Sequence, residues 1–198
     1  ELKKLGLDNN TIVIYSSDQG FYIGDHGWYD KRWMYEESLK MPFIVKWPGV
    51  VKPGSRNTDL VQNLDYAQTF LEIAGATQPK DMQGLSLVPL LKGETTKDWR
   101  KEIYYHYYEY PSVHMIPRHY GIRTKRYKLM HFYQFGNEWE MYDLKIDPDE
   151  ITNIYGNKET INLQKNLTNR LNKLRKYYED GSDVSVRPDY IELYRKQS

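Results

Sequence analysis

The sequence contains no cysteine among its 198 residues. It can therefore form neither a disulfide bond nor a thiolate metal site. This absence does not decide the cellular compartment, because many periplasmic proteins also lack cysteine.

Long apolar runs and a large excess of one charge are also absent. No stretch approaches the ~18 consecutive apolar residues of a membrane helix, so we expect no membrane span. Lysine and arginine number 28 against 27 aspartate and glutamate residues, which gives a net charge of +1. A nearly neutral chain has no general attraction for polyanions, so we expect no nucleic-acid partner.

The most informative stretch of the chain is Thr11–Gly49. It begins with an apolar, β-branched run at Thr11–Tyr15, which predicts a short buried strand. Asp18 and Gln19 follow, at the strand end where α/β folds place ligands. Their carboxylate and amide oxygens are hard ligands of the kind that calcium or magnesium takes. A second apolar run, Pro42–Trp47, predicts a strand that returns to the sheet.

Two positively charged or titratable groups lie between these strands. His26 falls within a Gly-Asp-His-Gly sequence at Gly24–Gly27, and Lys31 follows four residues later. Each has an ordinary structural explanation, since a lone histidine or lysine in a loop usually faces solvent. The order and spacing of the whole series carry more information than any single residue.

The series consists of Ser17–Gly20, Gly24–Gly27, Lys31, the pair Glu36–Glu37, and Pro42–Gly49. It resembles the sulfatase family of the alkaline phosphatase superfamily, in particular bacterial glycan sulfatases of the N-acetylglucosamine-6-sulfatase type. The resemblance extends over several spaced motifs in about 40 residues, which makes it more specific than one short pattern.

The resemblance implies roles for four of these residues. Asp18 and Gln19 match calcium ligands, with Gln19 in place of the commoner asparagine or histidine. Lys31 matches the lysine that contacts the sulfate group, and His26 either faces the same site as a second catalytic group or only holds its loop. Sulfate ester hydrolysis builds negative charge on the sulfuryl oxygens and on the leaving alkoxide, which Ca²⁺ and fixed ammonium groups stabilise.

Part of the family's machinery is missing from the sequence. There is no cysteine or serine in the nucleophile motif that matures to formylglycine, and the first two aspartate ligands of the calcium are not found. The chain also begins at Glu1, without a start methionine or a signal peptide. We therefore expect a fragment that matches roughly the last two-fifths of a sulfatase and is inactive alone. The resemblance implies a periplasmic or secreted location.

The remaining sequence predicts helices and an antiparallel sheet. Apolar residues recur at helical spacing in 65–74, four strand-like runs follow in 103–144, and 163–178 carries one apolar helix face. We predict an α/β fold, the C-terminal part of the sulfatase/alkaline-phosphatase-like fold. Residues 1–96 would form the end of the large sheet with its helices, and residues 97–198 a small antiparallel sheet with the terminal helix.

One loop of the second half has a composition that suits ligand binding. The segment Tyr107–His119 contains Glu109, His114, Arg118 and His119, and loops with such groups are frequent binding segments. The hydroxyls and sulfates of a glycan are suitable partners for these side chains. The alternative is a loop whose charges only face water.

The predicted activity is hydrolysis of sulfate esters in a sulfated saccharide, with the 6-O-sulfate of amino sugars in host glycans as the expected substrate. One alternative is a non-catalytic glycan-binding remnant of a sulfatase. Another is a phosphodiesterase or phosphonate hydrolase of the same superfamily, which usually holds two transition metals. The presence of Asp18, Gln19 and Lys31 favours the sulfatase over both. The exact sugar, the identity of the nucleophile and the oligomeric state stay open.

Overall fold

The computed structural model describes residues 1–94, 96–110 and 113–181, which form two compact units. The first unit contains Glu1–Gln19 and Met41–Lys101, and the second contains Gly20–Lys40 and the described chain from Glu102 onward. The domain boundary that the sequence predicts at residue 96 remains a prediction. The compact units differ from it mainly because the segment 20–40 groups with the C-terminal half.

The structure contains the predicted strands and helices, and it adds two short strands and a short helix between residues 20 and 40. The strands of the described chain are β1 (Val13–Ser16), β2 (Tyr22–Ile23), β3 (Tyr29–Asp30), β4 (Phe43–Lys46), β5 (Glu102–Tyr107), β6 (His119–Thr124), β7 (Tyr127–Phe132) and β8 (Glu138–Asp143). The α-helices there are α1 (Glu36–Leu39), α2 (Asp65–Ile73), α3 (Val88–Leu91) and α4 (Ile161–Tyr177). None of these helices is long and apolar enough to cross a membrane. The predicted α/β class is confirmed.

The first unit is built on the antiparallel pair of β1 and β4. Their register runs from Val13 opposite Lys46 to Ser16 opposite Phe43. Alternate side chains point to opposite faces, and Phe43 stacks on Tyr66 of α2 with ring centroids 5.2 Å apart. The prediction that the first strand is buried is wrong, because only one face of the strand pair is packed. The residues of β1 alternate between exposed and partly buried.

Helix α2 is held by buried polar groups, which differs from the apolar face that its spacing predicts. Asp65, Gln68 and Thr69 are its buried residues, whereas Phe70 is 49% exposed. The two carboxylate oxygens of Asp65 accept hydrogen bonds from the backbone N–H groups of Leu85 and Gln62, each at 2.8 Å, and the carboxylate pairs with Arg100. The helix therefore depends on one fully satisfied buried aspartate.

The second unit contains the predicted antiparallel sheet and terminal helix. Strands β5, β6, β7 and β8 pair in sequence order, each antiparallel to the next. Helix α4 buries Leu167 and Leu171 in a cluster with Ile122 of β6 and Leu129 of β7. The apolar stripe of the helix thus covers one face of the sheet, as its spacing indicates.

A buried ion network ties α1 to this sheet. Lys128 on β7 is completely buried, and its Nζ lies 2.9 Å from Glu36 Oε1 and 2.7 Å from Glu150 Oε1. Arg123 also donates to Glu36, with Nη2 2.9 Å from Oε2. Burial alone would raise the pKa of Glu36, but Arg123 and Lys128 more than offset it and lower that pKa to about 2. Burial raises the pKa of Glu150.

Candidate functional site

The two predicted calcium ligands lie directly after β1, in the first unit. Asp18 is exposed and Gln19 is partly buried. Their turn is fixed by Ser17, whose Oγ donates to Asp18 Oδ1 at 3.3 Å and to Gln19 O at 3.0 Å. Asn63 Nδ2 donates to the Asp18 carbonyl at 3.0 Å. The strand end therefore presents a carboxylate and an amide in a defined turn.

The side chains of Asp18 and Gln19 are of the type that binds a hard cation, but two side chains are too few to complete its coordination. Both offer oxygen donors, which calcium prefers, yet calcium takes about six to eight of them. No group of three or more histidine, aspartate or glutamate side chains in the described chain could hold a metal. Asp18 and Gln19 thus form part of a coordination shell, and the calcium assignment stays a prediction.

The loop that carries His26 and Lys31 belongs to the second unit and has an unusual backbone. His26, Asp30 and Arg32 have φ values of 54°, 81° and 95°, in the left-handed region that costs non-glycine residues energy. The loop begins at Gly20, where an added Cβ would lie 1.9 Å from the Glu37 carbonyl oxygen, so only glycine fits there. Strained residues that persist close together are typical of functional sites.

His26 is largely covered by its neighbours. Its ring stacks on Tyr35 with centroids 4.3 Å apart, and its Nε2 lies 3.5 Å from Glu37 Oε2. These contacts favour the loop-holding role over a direct catalytic one, and the catalytic role stays a prediction. Lys31 is half-buried and lies between the two strained residues Asp30 and Arg32.

The structure brings His114 to two residues that the sequence prediction missed. His114 Nδ1 lies 3.1 Å from Asp30 Oδ2, and Arg32 forms an ion pair with the same oxygen. About a third of the His114 and Asp30 side chains is exposed, so the cluster is open to a ligand. We name these three residues the Asp30 cluster. In the sequence, the only indication of this cluster is the charged run around Lys31, and such runs are common on solvent-exposed loops.

Packing fixes the Asp30 cluster from beneath. Ser38 Oγ accepts a hydrogen bond from the Arg32 backbone N–H at 2.9 Å. Tyr105 on β5 donates its hydroxyl proton to the Arg32 carbonyl at 2.6 Å. Both backbone groups of the strained Arg32 are therefore satisfied, which compensates for its unfavourable φ.

The other predicted substrate contacts are placed differently from His114. His119 is completely buried, with its Nδ1 2.8 Å from the Pro117 carbonyl and its ring 5.0 Å from that of Phe132. Burial lowers the pKa of His119 to about 4, so it is neutral near pH 7. Arg118 is buried and donates to the Tyr110 carbonyl, whereas Glu109 is exposed. These positions favour a supporting role for Arg118 and His119, and their assignment as substrate contacts stays a prediction.

Comparison with known proteins adds independent information. The family profile described as "N-sulphoglucosamine sulphohydrolase, C-terminal" matches residues 24–177. An N-acetylglucosamine-6-O-sulfatase of Bacteroides thetaiotaomicron is 52% identical over 182 residues, which cover 91% of this chain and 33% of the relative. A human N-acetylglucosamine-6-sulfatase is 40% identical over 108 residues, covering 54% of this chain and 19% of the relative. The chain thus spans about a third or less of these relatives.

Solved structures agree with the sequence relatives. The structure of BT4656 in complex with its substrate D-glucosamine-2-N,6-O-disulfate superposes with a TM-score of 0.87 at 51% identity, covering 91% of this chain and 37% of that one. A phosphonate monoester hydrolase of Agrobacterium radiobacter has a TM-score of 0.78 at 24% identity, covering 89% of this chain and 37% of that one. At that identity the second match shows only that the fold is shared.

Proposed function

This chain belongs to the sulfatase family, and from that premise we propose that it forms part of an enzyme that hydrolyses the 6-O-sulfate ester of amino sugars in glycans. The observation that carries the proposal is the 52% identity to an N-acetylglucosamine-6-O-sulfatase over 91% of the chain. The structural relative in complex with a 6-O-sulfated glucosamine supports the same substrate class.

The proposed roles follow from the chemistry of each side chain. Asp18 and Gln19 would hold Ca²⁺ together with ligands from outside this sequence. The bound cation would neutralise charge on the sulfate oxygens. The ammonium group of Lys31 would contact the sulfate group and stabilise the charge that develops as the ester bond breaks. A formylglycine nucleophile would come from outside this sequence, which contains no motif for it.

The Asp30 cluster would bind the sugar ring. The Asp30 carboxylate accepts hydrogen bonds from hydroxyls, and His114 and Arg32 can donate to them. The cluster would recognise the sugar away from the reacting ester, and such remote contacts can contribute to orientation at the reacting centre. A sulfated saccharide is therefore the proposed partner. A periplasmic or secreted location is proposed because such a substrate is found outside the cytoplasm.

The direct test is an assay of the complete enzyme. It should release sulfate from N-acetylglucosamine 6-sulfate with a higher kcat/KM than from the 3-sulfate isomer or from a phosphonate monoester. A preference for the phosphonate would instead support the hydrolase alternative. Binding of the sugar without turnover, by an enzyme whose formylglycine is verified by mass spectrometry, would support the glycan-binding alternative.

Replacing Lys31 by alanine should lower kcat in the complete enzyme by about 100-fold, the typical effect of removing one donor that faces developing negative charge. The measurement is sulfate release at saturating N-acetylglucosamine 6-sulfate. Lys158→Ala is the matched control, since Lys158 is exposed in the 3₁₀ turn Lys158–Thr160, and it should leave kcat unchanged. A Lys31→Ala enzyme with the rate of the control would show that Lys31 does not act on the reacting sulfate.

Replacing His114 by alanine should lower kcat/KM for the sulfated amino sugar by about 2- to 10-fold, as expected for the loss of one hydrogen bond to a sugar hydroxyl. A small aryl sulfate lacks the sugar ring, so its kcat/KM should change much less. His131→Ala is the control, because His131 lies on β7 and stacks on Trp139. Equal losses on both substrates would assign a structural role to His114.

A further inference from the structure

The second unit contains a pocket that the proposed catalytic and sugar-binding residues do not form. It has a volume of about 190 Å³. Its lining includes the aromatic residues Trp28, Trp33, Phe132 and Phe135 and the acidic residues Glu138 and Glu140. Because it is smaller than the ~300–1,000 Å³ pockets that enclose drug-sized ligands, it suits a compact group such as a single sugar ring.

The aromatic part of the pocket offers flat apolar surface to a ligand. Trp28 and Trp33 lie against each other with ring centroids 4.6 Å apart and an interplanar angle of 31°. Trp33 is buried, whereas Trp28 is 43% exposed and Phe135 is 67% exposed. A buried tryptophan thus supports an exposed one. Such an amphipathic ring can cover the C–H face of a pyranose while leaving its hydroxyls to polar partners.

The acidic part of the pocket is held in place by tyrosines. Glu140 Oε2 accepts the hydroxyl protons of Tyr35 at 2.8 Å and Tyr142 at 2.9 Å. Burial and the charge of Glu140 raise the pKa values of both tyrosines, so both keep their protons. Glu138 adds a second, exposed carboxylate at the rim.

The aromatic rings and carboxylates together make the pocket selective for the charge of a ligand as well as for its shape. Carboxylates accept hydrogen bonds from sugar hydroxyls, but they repel a sulfate or a uronic acid carboxylate. The pocket is therefore unsuited to the sulfated end of a glycan and suited to an uncharged ring. It differs in this respect from the Asp30 cluster, where Arg32 and His114 can meet negative charge.

The pocket and the Asp30 cluster are built from the same two stretches of chain. Trp28 precedes Asp30 by two residues, and Trp33 directly follows Arg32. Pro117, which also lines the pocket, follows His114 by three residues. A glycan that places one sugar at the cluster would therefore reach the pocket with a neighbouring sugar.

We propose that this pocket is a second subsite, which binds an uncharged pyranose adjoining the sulfated amino sugar and disfavours a uronic acid there. This inference rests on the proposed function for the identity of the neighbouring sugar. On this proposal, the second unit discriminates between glycans according to the charge of the sugar next to the sulfated one.

The experiment compares disaccharides on the complete enzyme. N-acetylglucosamine 6-sulfate linked to galactose is the neutral probe, the same sugar linked to glucuronic acid is the acidic probe, and the monosaccharide is the reference. The neutral disaccharide should have a higher kcat/KM than the acidic one. Trp28→Ala should lower the ratio of kcat/KM for the neutral disaccharide to kcat/KM for the monosaccharide roughly tenfold. This is the effect of losing a ring contact that the bound sugar would cover. Glu138→Gln should reduce the discrimination against the acidic disaccharide.

Tyr177→Ala is the control variant, since Tyr177 is an aromatic residue 77% exposed on α4, and it should leave the ratio unchanged. A preference for glucuronic acid, or an unchanged ratio in Trp28→Ala, would overturn the subsite. If no variant or wild-type enzyme hydrolyses any sulfate ester, the proposed function fails. Calorimetric titration with the unsulfated neutral disaccharide then tests the pocket separately. Binding that Trp28→Ala weakens would support the pocket, and absent binding would overturn it.

Discussion

Asp18→Ala should abolish sulfatase activity in the complete enzyme and release its calcium at the same time. Asp18 supplies an anionic oxygen at the end of β1, and its turn is fixed by Ser17 and Asn63. On the proposed assignment, the substitution removes a charged ligand and leaves the cation with fewer of the ~6–8 oxygens it takes. Without the cation, the negative charge of the transition state loses its main counter-charge, so we expect a loss of more than ~1,000-fold.

Two measurements are needed to test the role of Asp18. Metal analysis after dialysis should show calcium loss, and sulfate release should fall in the same variant. Asp18→Asn keeps an oxygen but removes the charge, so it should give intermediate values for both. Asp81→Ala, at an exposed aspartate of the first unit, is the control and should match the wild type. Full calcium occupancy in an active Asp18→Ala enzyme would refute the metal assignment.

Lys128→Met should destabilise the second unit by about 3–5 kcal/mol, the typical cost of removing one partner from a buried ion pair. Lys128 is the buried cation between Glu36 and Glu150, and methionine keeps most of its volume. The two carboxylates would then face each other, with Arg123 and the more exposed Lys40 as the remaining cations on Glu36. The measurement is denaturant unfolding followed by tryptophan fluorescence.

Controls for this variant separate charge from volume. Lys145→Met, at an exposed position, should change the free energy of unfolding by no more than about 0.5 kcal/mol. Adding Glu150→Gln to Lys128→Met should restore part of the loss, since it removes one uncompensated charge. If Lys128→Met is as stable as the control, the network contributes nothing net to the fold.

The pH dependence of stability should report on the same network. The folded-state pKa of Glu36 is about 2, below its ordinary value of 4.5. Its contribution is therefore complete above the unfolded pKa and is lost as the pH falls from about 4.5 towards 2. In Lys128→Met, which lacks one of the groups that lower this pKa, part of that acid-dependent loss should disappear.

The sequence alone was sufficient for most of the secondary structure. Strand-like runs joined by short turns predicted β5 to β8, and apolar spacing predicted α4, because these patterns depend on residues close together in the chain. The spaced motifs of Thr11–Gly49 likewise indicated the sulfatase family, which the matching family profile confirms. The order and spacing of residues along the chain carry this information, so no knowledge of tertiary contacts is needed.

Tertiary structure decided which of the candidate site residues meet. Asp30 pairs with His114 across 84 positions of sequence, and no local pattern marks such a pair. His119 and His114 both read as loop histidines, yet packing against Phe132 buries the first and leaves the second partly open.

The interior of each unit was also decided by contacts between distant residues. Helix α2 buries Asp65 because Arg100 and two backbone N–H groups satisfy its carboxylate, although an aspartate is normally expected at the surface. Lys128 is buried for the same reason, since Glu36 and Glu150 converge on it from other parts of the chain. Sequence determines where the strands and helices lie, because their periods are local. Only the fold determines which charges can be buried, because burial requires partners that the chain supplies from far away.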